Sequence, residues 1–207
     1  SFFGQFSVDN LMPIANNLYG EITEISSASK HKSESIMRSL LRRYTGNQCV
    51  SNFRPTAAAC LYSHFAFPGA MVWDMSMGYG GRILGAIISD INYIGTDPAE
   101  KTFKGLQEIK KDFGKSERHY FLNKCGSEVF QPKEETLDFA FTSPPYFSTE
   151  KYNEGGECME DQSWHKFSEY ESWRDDFFLP VSINSFKSLS ETGHMFINIM
   201  DPTVKGK

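Results

Sequence analysis

The sequence has no long apolar run, only four cysteines and no excess of positive charge. No stretch approaches the roughly 20 apolar residues needed to cross a bilayer, and no signal-peptide pattern opens the chain. A membrane partner is therefore not expected. Cys49, Cys60, Cys125 and Cys158 lack paired spacing, which argues against a disulfide framework and for reduced thiols in a cytoplasmic protein. His64, His119, His165 and His194 lack Cys/His ligand spacing, so no metal site is expected. The formal net charge of −5 counts against a generic nucleic-acid face, because phosphate contacts call for clustered Lys and Arg. The charge is uneven, however. Basic residues gather at Lys30, Lys32, Arg38, Arg42 and Arg43 and again from Lys101 to Lys124, while acids concentrate between Glu150 and Asp176. Such runs serve a solvated helix face as well as a binding patch. Internal repeats and low-complexity tracts are also missing.

What is present suffices for a globular core: 207 residues, 40% of them hydrophobic, with 18 phenylalanines. Residues 1–50 read as a helical N-terminal extension, with Ile36, Met37, Leu40 and Leu41 on one face of a helix from Ser33 to Arg43. From residue 51 onward, strands alternate with helices. The expected helices run from Thr56 to Phe65, from Ile83 to Ser89, from Pro98 to about Lys111, and from Trp173 to Leu189, where Pro180 is expected to break or kink the last. The expected strands are Ala70–Trp73, Asn92–Gly95, His119–Leu122, Leu137–Phe141 and Met195–Met200, with a polar loop from Ser148 to Gln162. This alternation calls for an α/β fold with a mostly parallel, Rossmann-like sheet, in which ligands bind outside the carboxyl ends of the strands.

Two segments at such ends carry the chemistry. In Val72-Trp73-Asp74-Met75-Ser76-Met77-Gly78-Tyr79-Gly80-Gly81, glycines follow the end of a strand and precede a helix. Glycine there permits positive φ and close approach of a ligand to the backbone. A turn of this kind also serves tight packing alone. Asp97, at the end of the next strand, is placed to accept hydrogen bonds from ribose hydroxyls, or to cap the helix that follows. The spacing is not G-x-G-x-x-G and no Walker lysine follows, so a nicotinamide or ATP is the less natural ligand.

The second segment is Ser143-Pro144-Pro145-Tyr146. Consecutive prolines remove two N–H donors and stiffen the backbone, leaving carbonyls to face a ligand. The Ser143 hydroxyl and Pro144 carbonyl can accept the hydrogens of an exocyclic amine, and Tyr146 can stack on the attached ring. Two acceptors on an aryl amine draw its lone pair out of the ring and ready it for attack without a strong base. The bland alternative is a rigid turn leaving a strand. Trp164, His165 and Trp173 stand where they would touch a base or pack in the core. Arg82 and Arg54 would either meet a ligand carboxylate or cap local backbone.

These segments resemble the S-adenosylmethionine-dependent amino-methyltransferases of nucleic-acid bases, over about Asn52 to Asp201. The family's Asp-Pro-Phe-x-Gly-x-Gly motif is matched at Asp74, Gly78 and Gly80, with Met75 and Ser76 in place of Pro and Phe, and Ser143-Pro144-Pro145-Tyr146 matches its catalytic tetrad. The resemblance implies a class I methyltransferase domain over 51–207 that uses S-adenosylmethionine to methylate DNA, N4 of cytosine before N6 of adenine. The implied catalytic residues are Ser143, Pro144, Pro145 and Tyr146. The implied cofactor residues are Phe53, Pro55 and Thr56 near the methionine end, Asp74, Ser76, Gly78 and Gly80 in the turn, Asp97 at the ribose, and Ser127 and Glu128 beside the adenine. It further implies that the chain is truncated before a sixth and seventh strand, that a recognition domain or subunit lies outside it, and that the setting is cytoplasmic, nucleoid-associated in a bacterium or phage. The alternatives are an RNA guanine-N2 methyltransferase and a catalytically inactive nucleic-acid- or protein-binding subunit.

Overall fold

Five short apolar segments pair into one fully parallel sheet of order β3-β2-β1-β4-β5. The computed structural model describes residues 52–147 and 159–199, and the fold is given for these. They lie in one unit that begins at Asn52. The expected N-terminal helix at 33–43 and the loop residues 148–158 lie outside the described residues.

The element order is α1 (Pro55–Phe65), β1 (Met71–Asp74), α2 (Gly81–Ile88), β2 (Asn92–Thr96), α3 (Glu100–Phe113), β3 (Tyr120–Asn123), a 3-10 turn (Ser127–Val129) and β4 (Leu137–Thr142). After a second 3-10 turn (Met159–Asp161) come α4 (Ser163–Lys166), α5 (Tyr170–Ser172), a π-helical segment (Trp173–Phe178), α6 (Leu179–Ser188) and β5 (Leu189–Ile197). Strand order 3-2-1-4-5 with parallel pairing is the Rossmann-like arrangement expected from the alternation.

The two-residue period of the strands sorts side chains onto two covered faces. Val72, Tyr93, Phe139 and Phe141 face a cluster built with Ala58 and Tyr62 of α1, Ile83 and Ala86 of α2 and Leu106 of α3. Trp73 and Ala140 point the other way and pack with Phe147, Trp173, Phe177 and Val181, and Leu137 joins them at the start of β4, where the register is irregular. Each large apolar side chain taken fully out of water contributes about 1.5–3 kcal/mol, so this double burial is the main stabilising term.

Most expected boundaries shift by a residue or two, and three departures have a physical cause. The third helix begins at Glu100 rather than at Pro98, because the Asp97 carboxylate accepts the Ala99 N–H and turns the chain before the helix starts. Pro180 does not break the last helix: it stands in the first turn of α6, after the π-helical segment has widened the preceding turn. The fifth strand starts at Leu189, well before Met195, since Leu137 of β4 pairs with Leu189 across a register shift. Its polar opening, Ser190-Glu191-Thr192, lies on an outer strand of the five, and Glu191 and Thr192 are exposed, so no apolar run announced it.

Candidate active site

The strand order reverses direction at β1, which has β2 on one side and β4 on the other. In an open parallel sheet the carboxyl ends flanking such a switch point form the ligand crevice. Register makes the placement specific: Asp74, the last residue of β1, pairs with Phe141 of β4. The glycine turn therefore starts one residue after that rung, and Ser143 follows two residues after it on the adjacent strand. Asp97 leaves β2 on the other side of β1, whose Gly95 pairs with the same Asp74.

The glycine turn rests on a buried charge. Asp74 has no exposed surface. Its Oδ2 accepts from Arg82 Nε at 2.7 Å and from the Tyr93 hydroxyl at 2.6 Å, and its Oδ1 accepts from the Ser76 N–H at 3.2 Å. The Arg82 guanidinium lies 5.6 Å from the Phe53 and Phe141 ring centroids. Burial pulls the Arg82 pKa down, but Asp74 and the neighbouring Tyr93 outweigh it and leave it raised. Burial drives the Tyr62 and Tyr93 phenols well up, reinforced by Asp74. Asp74 and Arg82 are thus committed to each other beneath the turn. The Arg82 side chain is 6% exposed and its Nε is bonded to Asp74, while Arg54 is exposed at the start of α1.

The two glycines of the turn differ. Gly78 has φ +51, and a Cβ there would meet nothing nearer than the Ser76 carbonyl at 3.7 Å. Gly80 has φ +93, but its missing Cβ makes room for Ile109 at 2.5 Å and Leu106 at 3.2 Å. Gly78 leaves backbone open to a ligand, whereas Gly80 seats the turn on α3. Gly81 is closer still: a Cβ would fall 1.8 Å from the Phe53 carbonyl oxygen. That contact, with Asn52 Nδ2 donating to the Tyr79 carbonyl at 3.4 Å, brings the start of α1 beside the turn. Pro55 occupies the first position of α1, Thr56 is exposed, and no side chain caps this helix N-terminus. Its free N–H groups make it suited to an anion.

Asp97 ties β2 to the turn. Its Oδ2 accepts from the Gly78 N–H at 3.1 Å and its Oδ1 from the Ala99 N–H at 2.9 Å. Burial lifts its pKa to about 6, against the lowering effect of those two N–H donors. A carboxylate has about four lone-pair sites, so two remain for hydroxyls. Ser127 is buried, donating to the Met75 carbonyl and sharing a 2.8 Å bond with Thr96. Glu128, after β3, lies 3.4 Å from Lys166. Ser76 is half-buried in the turn, while Met75 is buried with Trp73 on the second face of the sheet.

At the tetrad, Ser143, Pro145 and Tyr146 are half-buried and Pro144 is buried. The Pro145 carbonyl accepts from the Phe147 N–H at 2.9 Å, which closes a tight turn around Tyr146 and puts Phe147 at φ +43. Strain of this kind in a bulky residue persists only where the surroundings enforce it. Here Trp173 and Tyr170 pack on the Phe147 ring with centroids 6.1 and 5.7 Å away. Trp173 is accordingly a core residue, while Trp164 and His165 contact each other edge to face on α4. Thr142, one residue before the tetrad, buries a hydroxyl that has no partner.

Asn198 escaped the sequence reading, which absorbed it into an apolar strand. It follows β5 directly and bonds to Thr142, Ser143 and Tyr146. The available signal was a lone amide interrupting the apolar run Phe196-Ile197-Asn198-Ile199-Met200. Elsewhere, Lys104, Lys111, Lys115, Arg118 and Lys124 pair with Glu100, Glu108 and Asp90, as a solvated face does. Cys125 is partly buried with its thiol pKa raised by burial and by Glu128, which does not suit a nucleophile. Among the described residues no group of three or more His, Cys, Asp or Glu is placed to hold a metal ion. No helix among them is long and apolar enough to cross a membrane.

No protein-family model and no curated protein matches the sequence. Solved structures do resemble the fold. The TehB-like SAM-dependent methyltransferase of Corynebacterium glutamicum aligns at TM-score 0.45 and 18% identity over 81% of this chain and 71% of that one. A geranyl diphosphate methyltransferase in complex with SAM aligns at TM-score 0.49 and 13% identity over 70% and 48%. The cyclopropane synthase MmaA2 of Mycobacterium tuberculosis aligns at TM-score 0.45 and 15% identity, and the chain spans 41% of its length. Likeness at this level concerns the architecture alone.

Proposed function

We propose that this chain transfers a methyl group from S-adenosylmethionine to an exocyclic amine of a DNA base, N4 of cytosine before N6 of adenine. The observation that carries the reading is the β1–β4 register, which sets the Gly78 turn and the Ser143 tetrad at the same end of neighbouring strands. The side chains around that edge fit the cofactor. Asp97 offers acceptors for ribose hydroxyls, open Gly78 backbone admits close approach, and the uncapped start of α1 at Pro55 suits a carboxylate. S-adenosylmethionine, when bound, supplies a methyl group on a sulfonium that leaves as a neutral thioether.

The protein's part is orientation. Ser143 Oγ and the Pro144 carbonyl accept the two hydrogens of the amine, while Tyr146 stacks against the base. The Pro145 carbonyl already accepts one bond, from the Phe147 N–H, whereas the Pro144 carbonyl has no hydrogen bond among the described residues. As nitrogen gains the methyl carbon, one amine proton becomes acidic and passes by way of Ser143 to water. Extruding a base costs a few kcal/mol, which stacking worth about 1–3 kcal/mol per base largely offsets.

The test is methyl transfer to plasmid DNA, and in parallel to RNA, read by nucleoside mass spectrometry. N4-methylcytosine or N6-methyladenine should form with wild type and fall at least tenfold in Ser143→Ala and Tyr146→Ala, with cofactor affinity retained. Methyl groups on RNA guanine alone would favour the RNA enzyme. No binding heat with S-adenosylmethionine at millimolar concentration would favour the inactive subunit.

A further inference from the structure

Resting on the function just proposed, we infer that Asn198 is a positioning residue of the target-amine site, setting the lone pair of Ser143 and the ring of Tyr146 from the neighbouring strand. The Asn198 backbone N–H donates to the Thr142 carbonyl at 2.8 Å, which holds the residue level with the start of the tetrad. Its side-chain Nδ2 lies 3.0 Å from Ser143 Oγ and 3.3 Å from the Tyr146 hydroxyl. The Tyr146 hydroxyl lies in turn 3.3 Å from the Asn198 backbone carbonyl.

These contacts settle who donates. A carbonyl only accepts, so the phenol proton goes to the Asn198 carbonyl, and the phenol oxygen must receive a hydrogen from the side chain. The amide group facing it is therefore NH2, and its second hydrogen goes to Ser143 Oγ. Both amide hydrogens are then used on the tetrad. Ser143 receives one bond on its oxygen and keeps one lone pair, held in a fixed direction, for an amine hydrogen. The Tyr146 hydroxyl bonds twice to Asn198, which holds the far end of the ring on which a base would stack.

The arrangement gives Asn198 a role distinct from that of Ser143. Ser143 touches the amine, whereas Asn198 acts through it. Removing the amide leaves the acceptor in place but frees its rotor and the tyrosine ring, so the reacting geometry is populated less often. The loss should appear in kcat and leave cofactor affinity unchanged.

The experiment is a double-mutant cycle on the full chain, with single-turnover methyl transfer to DNA and calorimetric binding of S-adenosylmethionine measured for each protein. Asn198→Ala should lower the transfer rate about tenfold with unchanged cofactor affinity and melting temperature. Asn198→Ala combined with Ser143→Ala should be slowed by clearly less than the product of the two single effects, because the amide has no hydroxyl left to orient and only Tyr146 remains for it to hold. Asn198→Gln, with the same amide on a longer stem, should recover part of the rate. An active wild type with an equally active Asn198→Ala variant overturns the assignment and leaves the function standing. Full additivity of the two substitutions also overturns it, since a merely structural residue would behave that way. A wild type that binds cofactor but methylates no nucleic acid overturns both.

Discussion

The two turns that meet at the carboxyl edge are built on opposite principles. The glycine turn stands on a buried ion pair, flanked by phenylalanine rings and pressed against two helices. The tetrad turn is closed by the Phe147 N–H, and its Ser143 and Tyr146 side chains bond through partly exposed contacts to Asn198, just after β5. The first is integral to the core, and changes there should appear as lost stability before lost chemistry. The second is a light fixture on the rim, where changes should cost turnover and little else.

The sharpest way to break this contrast is Asp74→Ala. It strands Arg82, whose side chain is 6% exposed, without a counter-charge. Removing one partner of a buried pair costs about 3–5 kcal/mol, and for a domain of this size that lowers the melting temperature by roughly 10 °C. Thermal unfolding followed by circular dichroism checks it. A drop under about 2 °C would mean that the ion pair is not the foundation of the turn.

Next in size is a pair of glycine substitutions. Gly81→Ala drives a methyl group into the Phe53 carbonyl, and backbone cannot yield as a side-chain tip does. The expected cost is about 1–3 kcal/mol. Gly105→Ala, in α3 with nothing within 4 Å of the added carbon, should instead stabilise by about 0.4–1 kcal/mol through the unfolded chain. Urea denaturation of both variants separates a turn held by packing from one that merely contains glycine.

The same contrast explains what could be read before the fold was known. Strand and helix types were legible because Val72-Trp73 and Phe139-Ala140-Phe141 are apolar and bounded by turn residues, and the alternation with amphipathic helices leaves few topologies. The last strand was legible only at its apolar end. Its opening residues are polar because they face water on an outer strand, a tertiary circumstance that no local period records. Within the site, residue types that need a special backbone, Gly78 and Pro144, announced themselves. The partnership of Asp74 with Arg82 and Tyr93 did not, because it joins β1, α2 and β2 through side-chain reach. Gly80 was read with Gly78 as opening the turn to a ligand, and only the position of Ile109 on α3 shows that it serves packing. Asn198 was hidden for a related reason: its chemistry depends on β5 lying beside β4.

A smaller effect separates the two sides of the glycine turn by pH. Burial raises the Asp97 carboxyl from 3.8 to about 6. The folded state therefore holds this proton more tightly than the unfolded chain, so the group's contribution to stability is full below about pH 4 and is lost as pH rises through about 6. Under the proposed function ribose hydroxyls would donate to the ionised form, so affinity for S-adenosylmethionine should run the other way and fall by up to tenfold per unit below about pH 6. Opposite slopes in calorimetric binding and in urea stability, both flattened in Asp97→Asn, are the expected result. Parallel slopes would remove Asp97 from the ligand.

The smallest effect on stability belongs to the tetrad. Ser143→Ala removes a half-buried hydroxyl whose partner, Asn198, is exposed and can bond to water instead. No buried group loses its only partner, so the change should stay within about 0.5 kcal/mol. The same substitution should nearly abolish methyl transfer under the proposed function, a ratio of effects opposite to that of Asp74→Ala. Denaturant midpoints measured beside single-turnover rates place both variants on one plot. If Ser143→Ala proved as destabilising as Gly81→Ala, the tetrad would be a structural turn joining β4 to the Phe147 cluster, and the division of labour between the two rims would collapse.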